Sequence, residues 1–191
     1  VSKMKIAVLA VQGAFIEHEK VLESLGAECI ELRKKEDLEQ DFDGLVLPGG
    51  ESTVQGKLIK ELGMEEELKK RIQSGIPVLA TCAGMILLAD EIEGGESAHF
   101  GLLPAVVKRN AYGRQLGSFY AEGKVEGVGC DVPMTFIRAP YIKSVSGDAK
   151  VLATVDGHIV AAQQGKQLVT AFHPELNDDT RIHQHCVDMM K

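Results

Sequence analysis

The sequence has little cysteine: Cys29, Cys82, Cys130 and Cys186 are the only four among 191 residues. They are widely spaced and form no C-x-x-C pair, so they indicate neither a disulfide framework nor a zinc site. Unpaired thiols are typical of reducing compartments. We therefore expect a cytoplasmic protein.

Positive charge and long apolar runs are also scarce. The chain has 21 Lys and Arg against 28 Asp and Glu, a net charge of −7, whereas nucleic-acid binding needs a basic patch. No apolar run approaches the length of a membrane span, and the opening V-S-K-M-K-I lacks the apolar core of a secretory signal. We expect no nucleic-acid partner and no membrane association. The length suits a single domain over residues 1–191.

One stretch combines an apolar strand, a cysteine and several small residues. Val78–Thr81 is apolar and β-prone, Cys82 follows, and residues 85–89 form a helix-forming run. A strand that turns sharply into a helix presents the residue at the turn beyond the sheet edge, as in a nucleophile elbow. The small neighbours in A-T-C-A-G permit a tight turn, and a helix N-terminus favours the thiolate. We therefore predict that Cys82 is a nucleophile rather than a buried core residue.

A base for this nucleophile is present near the end of the chain. Residues 168–172 are typical of a buried strand, which delivers His173 at its carboxyl end, before Pro174. The spacing His-x-Glu lets two side chains of an extended segment lie on the same side. Glu175 can then accept from one imidazole nitrogen while the other takes the proton of Cys82. This is the arrangement of nucleophile, base and orienting group found in triads.

Strands alternate with helices in the first half of the chain, which predicts a parallel α/β sheet. The apolar runs predicted as strands cover residues 5–11, 28–32, 43–47 and 78–81. Helices are predicted over residues 15–25, 54–62 and 64–73. Ligands of such sheets bind beyond the carboxyl ends of the strands.

The second half has more glycine and shorter β-prone runs. These runs cover residues 105–108, 118–125, 134–138, 150–155 and 158–163. We predict that they add antiparallel or mixed strands to the central sheet, with a hairpin at Asp156-Gly157. A closing helix is predicted over residues 178–190. The predicted fold is therefore α/β, a mostly parallel central sheet flanked by helices, with added antiparallel strands.

A glycine loop, P-G-G-E-S-T at residues 48–53, follows one predicted strand. Two adjacent glycines let backbone N–H groups point to one place, which suits an oxyanion hole for acyl transfer. On its own the loop would be an ordinary strand-to-helix turn. It is not a phosphate loop, because Gly50 and Gly56 are one residue too far apart and Leu58 replaces the required Ser or Thr.

Other polar residues give weaker signals. His183 and His185 would lie roughly 200° apart around a helix and cannot bind one metal ion together, so we expect a surface histidine pair and no metal site. Cys186 is expected to face the core. Arg109 and Arg138 lie beside predicted strands and could pair with a substrate carboxylate, although an isolated arginine is usually solvated.

Five motifs together resemble a known family. In chain order they are V-L-A-V-Q-G-A-F-I-E-H-E from residue 8, P-G-G-E-S-T from 48, T-C-A-G-M-I-L-L-A from 81, F-I-R-A-P from 136 and F-H-P-E-L from 172. They are similar to those of class I, triad-type glutamine amidotransferases, and in particular of glutaminase subunits of pyridoxal 5′-phosphate synthase. The resemblance runs from about residue 4 to the last helix and implies a flavodoxin-like fold.

The resemblance implies hydrolysis of L-glutamine to L-glutamate and ammonia through a cysteine thioester. The ammonia would pass to a separate (β/α)₈-barrel synthase subunit in a hetero-oligomer, which builds pyridoxal 5′-phosphate (vitamin B6) from a pentose phosphate and a triose phosphate. The glutaminase itself would need no cofactor and no metal.

The resemblance also implies roles for individual residues. Cys82 would be the nucleophile, His173 the general base and acid, and Glu175 its orienting partner. The residues that would hold the oxyanion through backbone N–H groups are Gly50 and Ala83. Those that would line the glutamine site are Gly50, Glu51, Ser52, Arg109, Ile137 and Arg138. Gln12 is a candidate contact on the face that meets the synthase.

One residue departs from the pattern. Many relatives have glycine where this chain has Ala80, so we expect a slightly crowded elbow.

Two other functions stay open. Another Cys-His-Glu hydrolase, or a glutaminase that serves a different synthase, would carry the same three side chains. A silent regulatory subunit would lack one of them, and here all three are present.

Overall fold

The first half of the chain alternates strands and helices. The computed structural model describes residues 3–109 and 117–191. The first four strands are β1 (Lys5–Leu9), β2 (Glu28–Leu32), β3 (Gly44–Leu47) and β4 (Val78–Thr81). The helices between them are α1 (Phe15–Ser24), α2 (Ser52–Glu61) and α3 (Glu65–Gln73). The prediction of these strands and helices is confirmed, with ends that differ by a few residues.

The second half is richer in strands. A short helix, α4 (Ala83–Leu88), leads into it, and α5 (Arg181–Met189) closes the chain. The strands between these helices are β5 (Ala89–Ile92), β6 (Leu103–Lys108), β7 (Ser118–Val125), β8 (Gly129–Ile137), β9 (Tyr141–Val145), β10 (Lys150–Val155), β11 (His158–Gln164) and β12 (Gln167–Thr170). Single 3₁₀ turns cover Lys35–Glu39 and, later in the chain, Pro174–Leu176.

Ten of the described strands form one mixed sheet. Its order is β2-β1-β3-β4-β12-β11-β9-β6-β5, and β10 pairs with β11. Five neighbouring pairs are parallel, and four are antiparallel. The predicted α/β class, a parallel core extended by antiparallel strands, is confirmed. β4 lies between β3 and β12, so the carboxyl ends of these three parallel strands lie side by side.

The prediction for the second half is wrong in two respects. β7 and β8 do not join the central sheet but form a two-stranded antiparallel sheet of their own. Phe119 of β7 stacks on Phe136 of β8 with 4.4 Å between ring centroids, and Phe136 meets Phe172 edge to face. These rings attach the small sheet to the core. β5 and β9 were not predicted, because both are short and carry charged or polar side chains at exposed positions.

Buried apolar side chains from both halves form the core. Every residue of β3 and β4 is buried, as expected for central strands covered on both faces. Helix α4 lies so close to β3 that a Cβ atom on Gly84 would be 2.0 Å from the carbonyl oxygen of Leu47. No helix in the described ranges is long and apolar enough to cross a membrane.

This close approach predicts the effect of Gly84→Ala. Because the new methyl would meet fixed backbone rather than a flexible side chain, we expect a loss of about 1–3 kcal/mol in the free energy of unfolding. Urea denaturation measures it. Gly117→Ala is the matched control, because nothing lies within 4 Å of a Cβ there. Equal stability of the two variants would contradict the packing of α4 on β3.

Candidate active site

Cys82 occupies the turn between β4 and α4. Its backbone has φ 50° and ψ −105°, a conformation that is strained for a residue with a side chain. Its N–H donates to the carbonyl of Thr170 at 2.7 Å, and its own carbonyl accepts from the N–H of Ile86 at 3.2 Å. The strained turn is therefore held on both sides. Two residues earlier, Ala80 is fully buried between Leu47 and Val169, and the elbow forms with alanine in that place.

His173 reaches the same pocket from the neighbouring strand. It follows β12 after two buried residues, and its N–H donates to the carbonyl of Thr135 on β8 at 2.8 Å. Its ring Nδ1 lies 2.7 Å from Oε2 of Glu175, a carboxylate buried in the 3₁₀ turn. Because Nδ1 is engaged by Glu175, the Nε2 atom is the one available to the sulfur of Cys82.

The electrostatics of the site favour a charged imidazole. Burial lowers the pKa of His173, but hydrogen bonds to Cys82 and Glu175, together with the negative charges of both groups, outweigh burial and raise this pKa to about 10. His173 therefore holds a proton at neutral pH. A thiolate beside an imidazolium is the reactive state of a cysteine nucleophile, and the imidazolium can also protonate a leaving group.

A cavity of about 1070 Å³ opens above the elbow. Cys82, Ala83 and His173 line it, and Glu175, which contacts His173, does not. All the residues predicted to bind substrate line this cavity: Gly50, Glu51, Ser52, Arg109, Ile137 and Arg138. The structure thus brings together residues that are up to about a hundred and twenty positions apart in the sequence.

The glycine loop approaches the imidazole closely. A Cβ atom on Gly49 would lie 2.3 Å from Cε1 of His173, so no side chain fits there. The carbonyl of Gly49 accepts from the N–H of Ala14 at 2.9 Å. In a trans peptide the next N–H, that of Gly50, points the opposite way, away from Ala14. Gln12 supports the loop, because its Oε1 accepts from the N–H of Glu51 at 2.9 Å.

The two arginines are placed differently. Nη1 of Arg109 donates to Oε2 of Glu96 at 2.7 Å and to Oγ1 of Thr53 at 3.2 Å, so its guanidinium is oriented at the cavity wall. Arg138 follows β8 with φ 45° and lines the same cavity. Sequence reasoning did not anticipate Glu96, which lies in the glycine-rich segment after β5 and belongs to no periodic pattern.

The sequence profile of the SNO glutamine amidotransferase family matches residues 8–191. This chain belongs to the SNO glutamine amidotransferase family.

Relatives with named functions match this chain over almost its whole length. A protein of Desulfitobacterium hafniense (strain DSM 10664 / DCB-2) named "Pyridoxal 5′-phosphate synthase subunit PdxT" is 60% identical over 185 residues, covering 97% of this chain and 92% of the relative. The protein of the same name from Streptococcus pneumoniae (strain CGSP14) is 56% identical over 191 residues, with 98% of each chain covered.

Solved structures give the same picture of the fold. A crystal structure described as a glutamine amidotransferase superposes with a TM-score of 0.91 at 45% identity and covers 97% of this chain and 98% of the other. A glutamine amidotransferase from Thermotoga maritima superposes at 0.64 with 17% identity, over 98% of this chain and 84% of the other. The second likeness concerns the fold alone.

The amidotransferase also contains a buried polar cluster that sequence reasoning missed. His18 of α1 and His183 of α5 are both fully buried, so the expectation of a surface histidine pair is wrong for His183. The buried face of α5 includes His183 beside Ile182, Cys186 and Val187. The expectation that Cys186 faces the core is confirmed. No three His, Cys, Asp or Glu side chains within the described ranges are grouped to hold a metal ion.

The raised pKa of His173 predicts how the site responds to loss of Glu175. Glu175→Gln removes a negative charge that favours the imidazolium, so His173 should release its proton at lower pH than in the wild type. NMR titration of the ring measures this pKa in the free chain. Glu126→Gln, which neutralises an exposed carboxylate, is the control. A wild-type His173 that titrates near 6.5 would contradict the ion-pair account.

The buried histidines predict a loss of stability in acid. Burial lowers the pKa of His183 to about 4, whereas an unfolded histidine titrates near 6.5. The unfolded state therefore binds more protons between these values. The contribution of His183 to the free energy of unfolding is fully present above about pH 6.5. The free energy of unfolding should fall by about 2–3 kcal/mol as the pH drops to 4. Urea denaturation across this range measures it, and His183→Gln should flatten the dependence. An equally steep loss in the variant would contradict this assignment.

Proposed function

We propose that this chain is the glutaminase subunit of a pyridoxal 5′-phosphate synthase. It hydrolyses L-glutamine to L-glutamate and ammonia and delivers the ammonia to the synthase subunit that builds the vitamin. One observation carries the proposal: a cysteine on a strained elbow lines the same cavity as a histidine whose Nδ1 is held by a buried glutamate. The names of the relatives support the synthase as the destination.

The first half-reaction forms a thioester. The sulfur of Cys82 attacks the side-chain amide carbon of glutamine, and the carbonyl oxygen becomes an oxyanion. The backbone N–H groups of Gly50 and Ala83 hold this oxyanion, because both residues lie at the cavity beside the sulfur. His173 gives its proton to the amide nitrogen, the C–N bond breaks, and ammonia leaves. Glu175 stabilises the charge of His173 until that transfer.

The second half-reaction returns the enzyme to its starting state. His173, now neutral, takes a proton from water, and the hydroxide attacks the thioester carbon. The C–S bond then breaks and glutamate is released. Because the thiolate of Cys82 leaves beside the newly formed imidazolium, the ion pair is restored without a further proton carrier.

The cavity offers polar groups for both charges of the amino acid. The guanidinium of Arg109, held by Glu96, suits the α-carboxylate of glutamine, with Arg138 nearby. The carboxylate of Glu51 suits the α-ammonium group. Ser52 Oγ is buried and finds no hydrogen-bond partner in the described part of the chain, so it is available to the substrate. Ile137 supplies an apolar wall for the side-chain methylenes.

We propose that the mouth of the cavity is covered by the (β/α)₈-barrel synthase subunit in a hetero-oligomer. Val54, Ile137 and Leu176 line the cavity and remain 37%, 41% and 43% exposed, and exposed apolar groups mark interaction sites. Gln12 lies at the same mouth and contacts the glycine loop. A cover would keep ammonia out of water, where it would be protonated and lose its nucleophilicity.

All four cysteines are unpaired, which supports a cytoplasmic location.

The proposal predicts that Cys82→Ala abolishes ammonia release. Loss of the nucleophile should lower kcat by about a thousandfold or more in the assembled complex, while assembly with the synthase subunit is unchanged. Ammonia is measured with glutamine in excess, and complex formation by analytical ultracentrifugation. Cys130→Ala, which removes an exposed thiol, is the matched control.

Three outcomes of this assay discriminate between the functions left open. Ammonia release that rises only with the pyridoxal phosphate synthase subunit supports the proposal. A rise with the synthase of another pathway would show a glutaminase with a different destination. No release by the wild-type chain with any partner, together with intact assembly, would overturn the proposal in favour of a regulatory subunit.

A further inference from the structure

The catalytic carboxylate has a histidine beside each of its oxygens. Oε2 of Glu175 lies 2.7 Å from Nδ1 of His173. Oε1 is buried and makes no hydrogen bond in the described part of the chain, and Nε2 of His18 lies 3.5 Å from it. His18 is fully buried on α1, and its Nδ1 lies 2.9 Å from Nε2 of His183. The reaction described above does not use His18 or His183.

The distances select one tautomer of each buried histidine. One proton must lie between Nδ1 of His18 and Nε2 of His183, because two lone pairs 2.9 Å apart would repel each other. If this proton belongs to His183, then His18 carries its own proton on Nε2. That N–H faces Oγ1 of Thr81 at 3.2 Å and Oε1 of Glu175 at 3.5 Å, and both oxygens can accept.

The opposite tautomers would leave two groups badly placed. If His18 donated from Nδ1, its Nε2 lone pair would face the carboxylate of Glu175 at 3.5 Å. His183 would then carry its proton on Nδ1, a buried atom with no hydrogen-bond partner within residues 3–109 and 117–191. A buried N–H without an acceptor costs more than a bare ring nitrogen. Both observations favour the chain of donors that runs from His183 through His18 to Glu175.

We propose that His18 is a positioning residue for Glu175, with its Nε2–H, fixed in that tautomer by His183, holding the carboxylate so that Oε2 meets His173. The inference rests on the proposed glutaminase function and extends the triad by one residue. The contact at 3.5 Å is long for a hydrogen bond in the free chain, and such contacts commonly tighten when substrate binds.

His18 can play this part because it stays neutral. Burial, together with repulsion from His183 and His173, keeps its pKa well below the ordinary value, and burial lowers the pKa of His183 to about 4. The titratable groups facing His18 are His183 on α5 and, after β12, Glu175 and His173. A neutral N–H donor orients the carboxylate without adding a second positive charge that would compete with His173.

The tautomers can be measured directly in the free chain. We expect ¹⁵N NMR of the histidine rings at pH 7 to show His18 and His183 as neutral rings, each protonated on Nε2. A His18 ring that carries its proton on Nδ1, or that is charged at this pH, would overturn the proposal. The measurement needs neither glutamine nor a partner, so its result is independent of the proposed function.

Two substitutions at position 18 separate positioning from packing. The amide nitrogen of His18→Gln comes near the place of Nε2 and can donate to Glu175. The shorter side chain of His18→Asn reaches only the place of Nδ1, where its oxygen still accepts from His183. In the assembled complex we expect His18→Asn to lower kcat by about tenfold with KM unchanged, because His18 does not line the cavity. His18→Gln should recover most of the loss.

The comparison of the two variants decides the matter. Equal loss in both variants, or a loss that appears in KM alone, would show that His18 only packs and would overturn the proposal. The control is His185→Asn, which should match the wild type. His185 lies on the same helix as His183 but contacts Gln163 rather than His18. If neither variant at position 18 folds, the tautomers of the wild type decide. Absence of ammonia release by the wild-type complex would instead count against the proposed function.

Discussion

The hydrogen bond between His173 and Glu175 is the contact on which the rest of the site depends. It engages Nδ1 of the imidazole, which leaves Nε2 to the sulfur of Cys82. It also helps to offset the cost of burying a positive charge. Three structural elements serve this bond. The 3₁₀ turn carries Glu175, strand β12 leads to His173, and Gly49 packs so closely on the imidazole that a Cβ atom there would lie 2.3 Å from Cε1.

The order of the central strands explains why Cys82, His173 and the glycine loop line one cavity. β3, β4 and β12 are neighbours and parallel, so the glycine loop, the elbow and the histidine all emerge at one edge of the sheet. A parallel sheet buried on both faces provides a rigid base for such an arrangement. The strain at Cys82 is maintained by hydrogen bonds to Thr170 and Ile86, and both belong to packed elements.

The sequence predicts the parallel core and the residues at its edge, because apolar runs, an elbow and a His-x-Glu pair are local patterns. It does not predict β5 or β9, since their pairing depends on neighbours distant in the chain. Nor does it predict the small sheet of β7 and β8, whose attachment depends on the contact of Phe136 with Phe172. The sequence wrongly predicts His183 at the surface, because histidine counts as polar in helical patterns. Its burial becomes favourable only through the contact with His18, which is distant in the sequence.

The central claim is that Cys82, activated by His173 at this sheet edge, is the residue whose sulfur attacks glutamine. The most direct measurement is covalent labelling of the assembled complex with a diazoketone analogue of glutamine, followed by peptide mass spectrometry. The account predicts a single adduct on the sulfur of Cys82, formed in step with the loss of ammonia release and prevented by excess glutamine. Inactivation with the adduct on Cys130, or on any residue other than Cys82, would contradict it.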